Sequence, residues 1–158
     1  MKTSFKTGLS FGLTSSVITT LGLMVGLHSG THSRTVVIGG IVTIAVADAL
    51  SDALGIHIAE ESKNNGIVSK IWESTIATFV VKFLIGLTFV VPVQFLLLEE
   101  AIMVSVVCGL TLLAVLSYLL ARAQQIPTWK VIVEHVVIGV IVIAITHYVG
   151  DWTHPTLI

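Results

Sequence analysis

Long apolar blocks alternate along the chain with short polar notches. Apolar residues dominate 8–27, 35–58, 75–98, 101–121 and 131–149, with no strand-like alternation of polar and apolar positions. A bilayer core about 30 Å thick requires about 20 mostly apolar residues per helix, and each block has about that length. Five spanning helices are predicted. The notches between them read HSGTHSR, EESKNNGIVSKIWES, EE at 99–100 and RAQQIPTWK. Connections this short force neighbouring helices antiparallel and leave no room for a separate soluble domain. The expectation is an all-α integral membrane protein, residues 1–158 forming one five-helix transmembrane domain.

Composition changes the picture only by removing alternatives. Hydrophobic residues make up 54% of the chain and charged residues 11%, which excludes an ordinary soluble domain. A net charge of −1 offers no basic surface for nucleic acid, which is not an expected partner. The lipid bilayer is. Lys2, Lys6, Lys63, Lys70, Arg122 and Lys130 fall on one side of the predicted spans and Arg34 alone on the other. The positive-inside rule then places the N-terminus in the cytoplasm and the C-terminal GDWTHPTLI outside, in a multi-pass protein of the plasma membrane if the source is prokaryotic. The opening MKTSFK resembles a signal-peptide n-region, but no A-x-A-like site follows and the apolar span is long, so it reads as a retained helix. Cys108 is the single cysteine, which excludes an intrachain disulfide; it reads as a packing residue.

Against this background Asp48 and Asp52 stand out. At about 100° per residue they lie about 40° apart on one helix face, in a stripe with Gly55 and Ala59. An ionised group at membrane depth costs from about 2.5 kcal/mol upward, so such acids face a bundle interior or a water-filled path. If the second helix enters near Thr35, Asp48 lies about 20 Å along it, past the midplane on the cytoplasmic side. His57, Glu60 and Glu61 would follow as a polar mouth able to collect metal ions. Carboxylates at that depth suit cation or proton translocation. The alternative is an internal ion pair with Lys82, which falls at a similar depth in the third span; with two acids and one lysine, one carboxylate remains over.

Other polar residues carry weaker signals. Gly8, Gly12, Ser16 and Thr20 recur every fourth residue, as do Gly22 and Gly26, and give the first helix small faces for close packing within the bundle or in a dimer. Its hydroxyls, Thr14, Ser15, Ser16, Thr19 and Thr20, either bond their own helix backbone or weakly coordinate an ion. His147, Asp151 and His154 have ligand-like spacing only if the last helix continues past Gly150, and Gly150 and Pro155 predict that it frays. Lys130 and Glu134 are spaced for an ion pair. No Gly-rich phosphate loop, G-x-S-x-G or C-x-x-C occurs, so no enzyme activity, catalytic residue or permanently bound cofactor is expected.

A first helix opening GLSFGLTSS, a second carrying ADALSDALG and ending in EES, five spans and a cytoplasmic N-terminus together resemble the vacuolar iron transporter family. The resemblance implies a five-helix homodimer that exports Fe²⁺ or Mn²⁺ from the cytosol. Gly8, Gly12, Ala47, Ser51 and Gly55 match the family's frames. Phe11 replaces the first-helix acid of the translocation path, Asp52 and Ile56 stand where the family has Met and Glu, and the long cytoplasmic extension with its acidic helices is absent. The resemblance and the acids together imply a proton-coupled divalent-cation exporter with Asp48 and Asp52 as ligands and proton acceptors. Two other readings stand beside it. One is the same fold moving a different solute; the other is a non-transporting scaffold or accessory subunit in which the acids only pair Lys82.

Overall fold

The computed structural model describes residues 3–63 and 67–157. Lys2 and the NNG of the second notch lie outside them. The described chain is helical throughout: α1 (Thr3–Thr31), α2 (Arg34–Lys63), α3 (Val68–Thr88), α4 (Val90–Phe95), α5 (Leu98–Gln124) and α6 (Thr128–Leu157). Five stretches are long and apolar enough to cross a membrane, with α3 and α4 together forming Val68–Phe95. The fold is compatible with a multi-pass membrane protein.

Nearly every helix outruns the apolar block that announced it. Hydropathy falls where hydrocarbon would end, but backbone hydrogen bonding continues until something breaks it. At the end of α1, His32 takes a left-handed φ of 49°, and Ser33 then caps α2 with its hydroxyl facing the Val36 N–H at 3.4 Å. Gln125 closes α5 with φ 57°, and the Ile126 N–H reaches back to the Ala121 carbonyl at 3.1 Å. The third span is broken internally. Pro92 has no N–H for the carbonyl of Thr88, four residues earlier, and its ring crowds that carbonyl; α3 ends at Thr88 and α4 starts at Val90.

α1 is the hub of the bundle and packs against α2, α3, α5 and α6. Half of its apolar window is buried, against 6% for α6, which lies at the periphery. Val17, Leu21 and Met24 of α1 form the core with Val37 and Ile41 of α2, Phe89, Val93 of α4, and Ala101, Ile102 and Leu113 of α5. Two glycine faces let α1 approach its neighbours. A Cβ on Gly8 would collide with the Ser74 carbonyl of α3, and one on Gly12 would lie 3.1 Å from the Thr78 carbonyl oxygen. Gly22 and Gly26 meet Val142 and Thr146 of α6 in the same way, and Gly30 meets Gly150. Of the two uses expected of the Gly8, Gly12 and Ser16 face, the chain makes the one inside the bundle, against α3. α6 does not fray at Gly150. That glycine backs onto the Gly26 carbonyl, where only hydrogen fits, and the helix runs on to Leu157.

Candidate functional site

Three helix positions converge on one ammonium group. Lys82 of α3 is 2% exposed, and its Nζ lies 2.6 Å from Asp48 Oδ2, in direct contact with Asp52 Oδ2, and 2.8 Å from Ser15 Oγ. The Ser15 hydroxyl donates to Asp52 Oδ2 at 2.9 Å, and the Thr19 hydroxyl faces Asp48 Oδ2 at 2.9 Å. A lysine has three N–H donors, and three oxygens surround this one. The Ser16 hydroxyl donates to the Lys82 main-chain carbonyl at 2.9 Å and fixes that turn of α3 against α1.

The elements dictate this meeting. Ser15 and Thr19 are four apart on α1, as Asp48 and Asp52 are on α2, so each pair forms two rungs on one helix face. Because α1 and α2 run antiparallel, the earlier hydroxyl meets the later acid and the later hydroxyl the earlier acid. The cluster occupies mid-helix positions. Asp48 lies 14 residues from Arg34 and 15 from Lys63, and Lys82 lies 14 from Val68 and 13 from Phe95. α2 continues five residues past Ile58 to Lys63, so Asp48 is central in the helix itself.

Exposure divides the cluster. The lysine is sealed, but the Asp48 and Asp52 side chains are each 24% exposed. They border an outward stripe of small residues on α2, Gly39, Thr43, Ala47, Ser51 and Gly55, all exposed. Nothing lies within 4 Å of a Cβ built on Gly39 or Gly55. Phe11 is 39% exposed, and its side chain makes no polar contribution.

The expected mouth does not assemble as a ligand set. His57 turns to α3, its Nδ1 3.0 Å from the Thr75 hydroxyl and its ring edge-on to Trp72 at 5.0 Å. Glu60 is buried, with Lys63 3.9 Å from its Oε1, while Glu61 is exposed. At the other end of the bundle the rings of His28 and His32 lie 5.3 Å apart and those of His32 and His154 5.7 Å apart. His147 Nδ1 is bonded to the Ser29 hydroxyl, and its Nε2 lies 3.5 Å from Asp151. Among the described residues no three His, Cys, Asp or Glu side chains are grouped to hold a metal ion. Lys130 lies over the Trp129 ring at 5.7 Å instead of pairing with Glu134.

Ser15 and Thr19 are the site residues that a reading of single helices undervalues. Thr14 behaves as hydroxyls in helices usually do, facing the Ser10 carbonyl at 3.0 Å. Thr19 also lies 3.0 Å from the Ser15 carbonyl, so its one proton is shared between backbone and Asp48. The signal that separates them is the matched four-residue spacing on two antiparallel helices.

Chemically, the arrangement is an oxygen-rich cation site with a cation of the protein's own inside it. The contacts of Asp48 and Asp52 run through their Oδ2 atoms, and each carboxylate has a second oxygen able to take a further partner. Comparison of the chain with protein-family models, curated proteins and solved structures gives no match.

Proposed function

We propose that the chain is a divalent-cation transporter, exporting Fe²⁺ or Mn²⁺ from the cytosol in exchange for protons. The observation that carries this reading is the convergence of Asp48, Asp52, Ser15 and Thr19 at mid-helix positions of a bundle long and apolar enough to cross a bilayer. Oxygen donors of this kind suit hard and borderline divalent cations. Carboxylates at such a depth are costly, and partly exposed ones have to border a water-filled path or another protein surface. The resemblance to vacuolar iron transporters supports the same direction and substrate class.

Topology and assembly belong to the proposal. Lys6, Lys63, Lys70, Arg122 and Lys130 lie near the ends of helices that share one side of an antiparallel bundle, and Arg34 begins α2 on the other. The former side is assigned to the cytoplasm. Two copies pair through the open small-residue stripe of α2, where close backbone approach is available and where pairing shields Asp48 and Asp52 from lipid.

Proteoliposomes test the function. Mn²⁺ or Fe²⁺ uptake driven by an imposed pH gradient, and lost in Asp48→Asn/Asp52→Asn, is the expected result. Absence of uptake by folded wild-type protein sinks it. A second reading has its own observation: Lys82 touches both carboxylates, as a purely structural ion cluster requires. In that case the chain is a non-transporting scaffold, and Asp52→Ala alters assembly or nothing while no cation moves.

A further inference from the structure

We propose that Lys82 is a tethered competitor for the transported cation, so that loading the site is an exchange in which the ammonium leaves the carboxylates as the cation enters. The inference rests on the cation-transport reading of Asp48 and Asp52 and specifies how that site is controlled.

A counter-charge that merely stabilises a bundle needs one good contact with an acid. Lys82 has more: its three donors meet Asp48 Oδ2, Asp52 Oδ2 and Ser15 Oγ, so the ammonium occupies the point on which the oxygens converge. A cation using those same oxygens cannot be bound while Nζ is there. The two carboxylates and one ammonium leave a single net negative charge, which draws a divalent ion in; once it is held, it neutralises both acids and no net charge remains to hold the ammonium. The lysine stem of four flexible carbons permits withdrawal without moving α3. Exposure suits an exchange as well. In the single chain the acids are each 24% exposed and the lysine 2%, so an ion moving along the seam between paired copies meets the carboxylates from the side that the lysine does not cover.

This arrangement has a use in a transporter. A bare pair of carboxylates at this depth is costly, and the resident ammonium halves the net charge of the unloaded site. It also selects for charge. A monovalent ion gains no more from the two acids than the lysine does, whereas a divalent ion gains about twice as much at the same distance.

Equilibrium Mn²⁺ binding to the full-length protein in detergent, read by the spin-resonance signal of free Mn²⁺, provides the test. Lys82→Met should bind Mn²⁺ at least about tenfold more tightly than wild type, because an opposing unit charge within a few ångströms is gone. Lys82→Met/Asp48→Asn keeps the wild-type net charge and serves if the single variant fails to fold. It has lost a carboxylate, yet should still bind more tightly than wild type. Lys82→Arg, which restores a fixed cation, should bind no better than wild type. If wild type binds Mn²⁺ through Asp48 and Asp52 and neither Lys82→Met variant binds more tightly, the exchange is overturned and the cation site stands. If no folded variant binds Mn²⁺ at all, the exchange and the transport reading fall together.

Discussion

Lys82 has its ammonium enclosed by oxygens, and its removal leaves Asp48 and Asp52 without their shared counter-charge. Breaking a buried ion pair from one side costs about 3–5 kcal/mol, whereas removing both partners is often nearly neutral. Lys82→Ala should therefore lower the melting temperature in detergent sharply, and Asp48→Asn with Lys82→Met should recover part of the loss. No recovery in a melting experiment would mean that the acids are held by something other than the lysine. Ser15 links the lysine to Asp52, and Ser15→Ala should cost about 1.5–3 kcal/mol, as loss of a hydrogen bond to a charged group does. Thr14→Val is the matched control. Its hydroxyl meets only carbonyls of its own helix, so melting should be nearly unchanged. The acids could be singled out in the sequence, because two carboxylates in an apolar block violate its pattern. Ser15 and Thr19 could not, because a hydroxyl in an apolar helix violates nothing until its neighbour is known.

At the scale of elements, glycines decide which faces meet. Gly8 and Gly12 lie against α3, and Gly12→Leu must push its side chain into Thr78 and Val81. The expected result is a loss of about 1–3 kcal/mol of bundle stability from overpacking, with monomer and dimer affected alike. Gly55→Leu meets open space, so thermal stability of the isolated chain should hold while self-association weakens. Melting temperature and dimer fraction, measured side by side, separate the two; a Gly12→Leu variant that lost only its dimer would return that face to an interchain role. The four-residue repeat of small residues is legible on α1 in the sequence, whereas the α2 stripe stands out only once exposure is known. Which repeat packs within the chain is not legible there, since α1 turns its stripes to α3 and α6 while the α2 stripe is left open.

For the whole molecule, the assembly and orientation are the quantities to measure. Cys108 is the only cysteine, so Cys108→Ala gives a background for placing new ones. In it, Ser51→Cys at the centre of the open stripe should form an oxidised dimer, and Tyr148→Cys on peripheral α6 should not; the reverse pattern would move the interface to α6. Leu97→Cys should react with an impermeant maleimide from outside intact cells and Ile126→Cys should not, and the opposite labelling would invert the assigned topology. By itself the sequence determined the number of spanning stretches, their antiparallel order and the two acids that do not belong in lipid, because hydropathy, loop length and charge are local properties summed along a chain. Only the tertiary structure decided that Lys82 serves both acids at once, that Ser15 and Thr19 complete the cluster, that Pro92 breaks the third span and that His57 turns to α3 while Glu60 is buried and Glu61 exposed. Each of these depends on the rotation of a helix about its own axis. In a uniformly apolar helix no amphipathic pattern fixes that rotation, and side-chain packing between helices sets it instead.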